Sequence, residues 1–247
     1  TKLKSHWREK DQIHLTWLVF YKIISDLIVK LYQSSYEIIM KYKKYFRKTS
    51  LKQKDIGEQF LNEIISKKPK NFLEIGVFHG VTARNVCECL YSIHKEDFRY
   101  IGLDLFGESI ENINEVIPNT KFNNPLKKIY FEYILRQDPY SMEAVSHLLK
   151  KFEQNVHLIK GNSNRLLKKI DMSKIDYVFL DGGHAYETVK NDLYYSKVVL
   201  DNNGTILCDD YNLSQAPGVK KAIDEFISDN NFKSEIIFER FAKIEKN

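Results

Sequence analysis

Beyond residue 54, short apolar runs alternate with longer stretches in which apolar residues recur every three or four positions. The short runs, such as NFLEIG and IDYVFLD, are nearly continuous in apolar residues, which is typical of strands buried on both faces. The longer stretches predict crossover helices, and crossover helices join parallel strands. The predicted strands are 71–76, 98–104, 156–161, 175–181 and 204–210, and the predicted helices are 56–68, 81–94, 141–152, 186–199 and 218–227.

The last part of the sequence departs from this alternation. Two strand-like runs, SEIIFER and FAKIEK, follow each other with no helical stretch between them. Because so short a connection can join only antiparallel strands, we expect an antiparallel pair at the sheet edge. The fold class predicted is therefore α/β, with a Rossmann-like, parallel seven-stranded sheet, an antiparallel C-terminal edge pair and an N-terminal helical extension.

The N-terminal extension, residues 1–53, has a pattern of its own. Apolar residues spaced seven apart over 13–46 predict an amphipathic helix. Charged residues interrupt this stretch too often for a membrane span, and no secretory leader is recognisable. We expect the extension to join two copies in a homodimer, with packing on its own domain and peripheral contact to an anionic membrane surface as the alternatives. The seven-spaced residues are Trp17, Ile24, Leu31, Ile38 and Tyr45.

Composition and charge narrow the class of protein. Hydrophobic residues make up 43% and charged residues 29% of the 247 positions, which excludes general disorder. Residues 1–54 hold 13 Lys or Arg against 4 Asp or Glu, a net of +9, which leaves −4 for the remainder. Because the positive charge is confined to the extension, it gives no support for a nucleic-acid partner. The three cysteines form no CxxC pair, so we expect a reducing, cytoplasmic setting without a disulfide framework or zinc site.

Polar and glycine residues follow the predicted strands at the positions where an open α/β sheet binds ligands. In such sheets the ligand lies at the carboxyl ends of the strands, near the point where the strand order reverses. Residues 54–247 are therefore expected to form a ligand-binding domain. The candidate residues are Glu74, Gly76, Gly80, Asp104, Asn162, Ser163, Asp181, Asp209 and Asp210.

The loop EIGVFHG after the first strand favours an adenosine-containing cofactor. Gly76 and Gly80 allow a close approach of backbone to a ligand, and the loop leads into a helix N-terminus. Asp104 lies 24 residues after Gly80, about where an acidic residue accepts hydrogen bonds from ribose hydroxyls. The alternative is a tight turn beside an Asp that caps a loop. We also assign Asn162, Ser163 and Asp181 to the cofactor pocket.

Asp181, Asp209 and Asp210 follow strands that we expect to be neighbours, so their carboxylates should converge. Three carboxylates in one pocket repel each other unless a cation offsets them, and oxygen ligands favour Mg²⁺. His184 is three residues from Asp181, close enough to act as a general base. Asp181 and His184 are thus the predicted catalytic residues. The alternatives are ordinary turns and loop caps, with a solvated histidine.

Several of these segments together resemble class I S-adenosylmethionine (SAM)-dependent methyltransferases. They are EIGVFHG, YIGLDLF, IDYVFLDGGHAYETVKNDL, GTILCDDY and PGVKKAIDEF. DGGH followed by CDDY resembles the metal-dependent sugar O-methyltransferases related to macrocin O-methyltransferase. The resemblance spans residues 70–247 and does not include the N-terminal extension.

The resemblance implies a function and a division of roles. Glu74, Gly76 and Gly80 would hold the methionine part of SAM, Asp104 its ribose, and the DGGH and paired-acid motifs Mg²⁺ and a base. The reaction implied is methyl transfer to a sugar hydroxyl, on a nucleotide-linked sugar or a surface-glycan precursor. Residues 105–138 match no family motif, and we expect them to cover the acceptor site.

Three other functions stay open at this point. A phenolic or catechol acceptor would fit the same motifs. Tyr186 and Lys190 have the YxxxK spacing of short-chain dehydrogenases, but Thr82 stands where their third cofactor-loop glycine would fall. The fold could also serve as a non-catalytic interaction module, although none of the three carboxylates has been lost.

Overall fold

The computed structural model describes residues 22, 51, 56–107, 138–169, 174–230 and 232–246. The predicted N-terminal helix and nearly all of the predicted cover over the acceptor site lie outside the described residues, so both stay predictions. Among the helices that the structure does describe, none combines the length and the apolar character needed to cross a bilayer.

The described residues form six α-helices and seven strands in alternating order. A 3₁₀ turn, Lys150–Phe152, extends the third helix. The elements are α1 Ile56–Lys67, β1 Asn71–Ile75, α2 Val81–His94, β2 Arg99–Asp104, α3 Met142–Leu149, β3 Val156–Lys160, α4 Ser163–Leu166, β4 Ile175–Leu180, α5 Tyr186–Val199, β5 Leu200–Cys208, α6 Pro217–Asn230, β6 Lys233–Ile237 and β7 Phe241–Glu245.

The strands form one sheet in the order β3-β2-β1-β4-β5-β7-β6. The five strands from β1 to β5 pair in parallel, whereas β7 is antiparallel to both β5 and β6. The predicted fold class is confirmed for the described part of the chain, including the antiparallel edge pair. The chain starts at the centre with β1, moves outward to β3 and returns to β4 on the other side of β1. The strand order therefore reverses between β1 and β4, where such sheets bind ligands.

One face of the sheet packs on α5 and α6. Leu73 and Ile75 of β1 belong to a continuous buried cluster that also contains Leu193 of α5 and Ile223 of α6. Successive side chains of a strand point to opposite faces, so the residues between them must be covered from the other side.

The opposite face is covered in part by α1 and is rich in aromatic side chains. Phe72 of β1 stacks on Tyr177 of β4, with ring centroids 5.1 Å apart. Phe60 of α1 contacts Phe179 of β4 at 4.7 Å. Both faces are therefore apolar and covered, which explains why the parallel strands read as continuous apolar runs.

Two elements differ from the sequence prediction. Strand β5 begins at Leu200, four residues earlier than expected, because the polar residues 201–203 are exposed while Leu200 already pairs with Ile175. The register shifts between Ile175 and Tyr177, which accommodates the extra residues of β5 as an irregularity. The short α4 was not predicted, because four residues are too few to show helical periodicity.

Gly76 lies where the carboxyl ends of β1 and β4 meet. The Asp181 N–H donates to the Ile75 carbonyl at 2.8 Å, which carries the strand pairing one step past β4. Gly76 has φ +96°, and a Cβ placed there would lie 2.0 Å from the Asp181 carbonyl oxygen. A glycine is therefore required here because the backbone at residue 76 lies so close to the backbone at Asp181. This requirement holds whether or not a ligand binds nearby.

We expect Gly76→Ala to lower the free energy of unfolding by about 3 kcal/mol more than Gly107→Ala, because only the first introduces a collision with backbone. Gly107 is a matched control, since its φ is +84° and its nearest Cβ neighbour is Asp138 Oδ2 at 3.5 Å. Urea unfolding of the two variants measures the difference. Equal losses of stability would show that the contact with Asp181 relaxes without cost.

Candidate active site

Three carboxylates meet at the carboxyl ends of β4 and β5, as the sequence predicted. Asp181 follows β4, while Asp209 and Asp210 follow β5, and the Asp209 N–H donates to the Leu180 carbonyl at 2.9 Å. One carboxylate oxygen from each Asp lies within 4.8 Å of the others. Together with His184 they line an open cleft. The cluster adjoins the point where the strand order reverses.

A cation from this chain already contacts the cluster, which the sequence analysis missed. Arg240, in the turn between β6 and β7, donates from Nε to Asp209 Oδ1 and from Nη2 to Asp209 Oδ2, the latter at 2.6 Å. Nη2 also lies 3.2 Å from Asp210 Oδ1. A guanidinium thus supplies part of the positive charge that the sequence pattern assigns to Mg²⁺.

The predicted edge pairing contained a signal for Arg240. Because β7 runs antiparallel to β5, the start of β7 lies beside the end of β5, and Ala242 pairs with Cys208. A basic residue just before β7 therefore had to lie near the paired acids. In the sequence alone, Arg240 stands out only as the end of the strand-like run SEIIFER.

His184 contacts Asp210 and not Asp181, its nearer neighbour in sequence. Its Nε2 lies 3.0 Å from Asp210 Oδ2, and both side chains are about one-fifth exposed. A carboxylate oxygen can only accept, so Nε2 carries the proton and the basic nitrogen of the neutral ring is Nδ1. The predicted base thus belongs to the carboxylate cluster, through the second acid of CDDY.

The three carboxylates differ in how they are satisfied. Asp181 accepts no hydrogen bond from the part of the chain that the structure describes. Its pKa is raised well above the ordinary value by burial and by the charges of Asp209 and Asp210. The pKa of Asp209 is also raised, by burial, although the hydrogen bonds from Arg240 oppose the shift. Of the three carboxylates, Asp181 is therefore the one whose negative charge the described residues stabilise least.

Asp192 is a fourth acidic residue of the cleft, and the sequence analysis did not single it out. It belongs to α5, is 3% exposed, and lines the cleft beside Val189. A charged residue on the apolar face of a predicted helix was the signal that could have identified it.

Asp104 holds the loop that follows β1. Its Oδ2 accepts from the N–H groups of Val77 and Phe78 at 2.8 and 2.9 Å, and its Oδ1 accepts from Phe106 at 2.7 Å. Burial raises its pKa, and these backbone N–H groups oppose the rise. Asp104 therefore ties the loop after β1 to the end of β2, which is the loop-capping role that the sequence left open as the alternative. Its contact with ribose stays a prediction.

Glu74 lies inside the protein and not at the surface of the cleft. It is fully buried, accepts from the Tyr100 hydroxyl at 2.6 Å through Oε2, and has no described partner at Oε1. Burial raises its pKa to about 8, although the Tyr100 hydrogen bond acts in the other direction. Glu74 is thus mostly neutral at pH 7, and its predicted contact with the methionine part of SAM stays a prediction.

The remaining cofactor candidates occupy helix starts. Gly80 has φ +76° and immediately precedes α2, and a Cβ there would lie 2.8 Å from Val145. Asn162 caps α4, because its Oδ1 accepts from the Asn164 N–H at 2.9 Å, and Ser163 begins that helix. These positions at the carboxyl ends of β1 and β3 agree with a cofactor pocket but do not test it.

Tyr186 and Lys190, the pair with dehydrogenase-like spacing, form a surface network. The Lys190 ammonium donates to the Tyr186 hydroxyl at 2.9 Å, and that hydroxyl donates to Glu225 of α6. In the structure, these two side chains thus help to hold α5 against α6.

Comparison with known proteins agrees with the fold. A family model described as a methyltransferase domain matches residues 73–211, which is more than half of the chain. The chain therefore belongs to this methyltransferase-domain family, and the predicted enzyme class is confirmed at that level. No curated protein is similar enough in sequence to give a match.

Solved structures share the fold at low sequence identity. The O-methyltransferase NovP is 18% identical, with a TM-score of 0.58 over 78% of this chain and 81% of its own. The methyltransferase PaMTH1 of Podospora anserina, bound to S-adenosylhomocysteine (SAH), is 16% identical, with a TM-score of 0.55 over 85% and 88%. Apo CalS11, a TDP-rhamnose 3′-O-methyltransferase of calicheamicin biosynthesis, is 15% identical, with a TM-score of 0.51 over 86% and 94%. These similarities establish the class I methyltransferase fold.

The buried Glu74 generates a prediction for pH dependence. Because its pKa is raised from 4.5 to about 8 in the folded state, its contribution favours folding at low pH and is lost as the pH rises towards 8. Compared with wild type, Glu74→Gln should gain stability as the pH rises, by at most about 1.4 kcal/mol for each pH unit.

Urea unfolding from pH 5 to pH 9 tests this difference. Tyr100→Phe is the matched control, since it removes the hydrogen bond that lowers the pKa of Glu74 and should move the slope to higher pH. Parallel stability curves for wild type and Glu74→Gln would contradict the assignment.

Proposed function

We propose that the protein is a Mg²⁺-dependent O-methyltransferase that transfers the methyl group of SAM to a sugar hydroxyl. The observation that carries the proposal is the convergence of Asp181, Asp209, Asp210 and His184 beside the point of strand reversal in a methyltransferase domain. The SAH bound in PaMTH1 supports SAM as the methyl donor, and the activity named for CalS11 supports a sugar acceptor.

The donor set fits a hard divalent cation. Carboxylate oxygens are the ligands that Mg²⁺ prefers, and the three Asp residues can each offer one oxygen within 4.8 Å of the others. Asp181 and Asp210 would contribute most directly, because Arg240 occupies both oxygens of Asp209. When bound, the cation would lower the pKa of a coordinated acceptor hydroxyl.

The protein must deliver a deprotonated oxygen in line with the sulfonium methyl, because that methyl group is already electrophilic. His184 would accept the hydroxyl proton on Nδ1, while Asp210 orients the ring through Nε2. The acceptor oxygen then forms a bond to the methyl carbon as the carbon–sulfur bond breaks, and SAH leaves. Gly76, Gly80, Asp104, Asn162, Ser163 and Asp181 would line the SAM pocket.

The acidity of the acceptor hydroxyl decides how much help its deprotonation needs, and this favours one class of acceptor. A phenol, with a pKa of about 10, needs little help, whereas a sugar hydroxyl is nearly as weak an acid as water, with a pKa of about 15.7. A base held by a carboxylate next to a candidate cation site suits the weaker acid. Nucleotide-linked sugars and surface-glycan precursors are therefore the first acceptors to assay, with catechol as the comparison.

Cofactor class can be tested without knowing the acceptor. We expect SAH at about 100 times its dissociation constant to stabilise the protein by about 2.7 kcal/mol, which raises the melting temperature by roughly 5 to 10 °C. NADH and NADPH at the same concentrations should leave the melting temperature unchanged. A shift with NADH but none with SAH would refute the methyltransferase proposal and support a dehydrogenase.

Metal and base can be separated by two variants. Asp181→Asn should lose the part of the activity that EDTA removes from the wild type, whereas His184→Ala should still bind Mg²⁺ and SAH yet turn over about 10² to 10⁴-fold more slowly. Methyl transfer from labelled SAM measures turnover, and calorimetry measures Mg²⁺ binding.

Asp201→Asn is the control for loss of a charge, because Asp201 is exposed in the first part of β5, away from the cluster. It should keep both activity and Mg²⁺ binding. Activity that survives exhaustive chelation would refute the metal, and a fully active His184→Ala would refute the base.

A further inference from the structure

The turn between β6 and β7 is held in an unfavourable backbone conformation beside the active site. Phe238 and Glu239 have φ of +56° and +57°, in the left-handed region that residues other than Gly, Asn and Asp rarely adopt. Two hydrogen bonds fix the turn to the loop after β5. The Tyr211 N–H donates to the Arg240 carbonyl at 3.0 Å, and the Asn212 side chain donates to the Glu239 carbonyl at 3.0 Å.

This backbone arrangement places one guanidinium against two consecutive carboxylates. The Asp209 side chain is 1% exposed and accepts two bonds from Arg240 in the forked geometry that arginine and carboxylate share. Its Oδ1 also accepts from the Asp210 N–H at 2.7 Å. Asp210, which is one-fifth exposed, contacts the same Nη2 and orients His184. Strained backbone persists where surrounding contacts maintain it, and such positions concentrate at functional sites.

The distribution of charge shows what Arg240 is needed for. Three carboxylates lie within 4.8 Å of one another, and in a partly buried cleft their mutual repulsion is stronger than in water. Arg240 contacts Asp209 and Asp210 directly, whereas Asp181 lies beyond its hydrogen bonds. A charge effect of Arg240 on Asp181 would therefore act through space and not through a shared contact.

We propose that Arg240 is the resident counter-cation of the cluster and a positioning residue for Asp209 and Asp210. It allows the domain to fold with the three carboxylates together before a divalent cation is bound. Because it occupies Asp209, it leaves Asp181 and Asp210 as the carboxylates that would bind that cation. The first part of this inference is independent of the proposed function, and the second part rests on its Mg²⁺ site.

The test is a double-variant comparison in metal-free buffer. Arg240→Met removes the charge and keeps an unbranched stem next to Phe241, over which the guanidinium lies at 5.7 Å. We expect it to lower the melting temperature. Asp181→Asn, added to Arg240→Met, should restore part of the loss, and its effect should be about 5 °C more favourable than in the wild-type background.

A purely structural role for Arg240 predicts a different pattern. Asp181 shares no hydrogen bond with Arg240, so loss of turn packing alone would make the two substitutions additive. Additive effects would overturn the proposal. Arg240→Lys supplies a further readout, because it should recover part of the melting temperature by charge alone, and a loss equal to that of Arg240→Met would also overturn the proposal. If Arg240→Met does not fold, Arg240→Gln, which also removes the charge, replaces it in the same comparison with Asp181→Asn.

Magnesium chloride separates this inference from the proposed function. We expect Mg²⁺ to raise the melting temperature of Arg240→Met more than that of the wild type, because the cation then supplies the missing charge. Non-additivity with no Mg²⁺ effect in either protein would support the counter-cation and refute the metal site. The SAH-induced shift, measured in the same samples, reports on the methyltransferase assignment separately.

Discussion

The close approach of β1 and β4 at their carboxyl ends is the constraint on which the site depends. The pairing of these strands continues past β4 through the Asp181 N–H, and this continuation is sterically possible only because residue 76 lacks a side chain. The same contact fixes where Asp181 leaves the sheet. Since Asp209 is hydrogen-bonded to Leu180 in turn, the positions of the carboxylates follow from the sheet register and not from the loops alone.

Acidic residues inside or near the core differ in how the described part of the domain satisfies them. Burial favours the neutral form of Glu74, which is mostly protonated at pH 7. Asp104 is satisfied by backbone N–H groups, and Asp209 by a forked ion pair. Asp181 accepts no hydrogen bond from the described residues. A bound cation would remove the imbalance at Asp181, which is why we propose a metal ion there even in the presence of Arg240.

The sequence was sufficient for the architecture because apolar periodicity reports directly on burial. It predicted all seven strands, the antiparallel edge and the meeting of Asp181 with Asp209 and Asp210, since residues that end neighbouring parallel strands must share one edge. It missed α4 because a single turn has no period. It also missed what depends on pairing across the sheet: the Arg240 contact and the hydrogen bond between His184 and Asp210. For Asp104 it left loop capping open as the alternative to ribose binding.

During synthesis, the carboxylates of the cluster are made before the arginine that contacts them. Asp181, Asp209 and Asp210 all emerge from the ribosome before Arg240, so the loop after β5 exists for a time without the guanidinium that it contacts in the folded protein. Only when β7 inserts beside β5 do the turn and its positive charge reach the carboxylates. The strand that completes the sheet on this side therefore also completes the electrostatics of the cleft, and a nascent chain lacking it would hold the acids but not their arrangement.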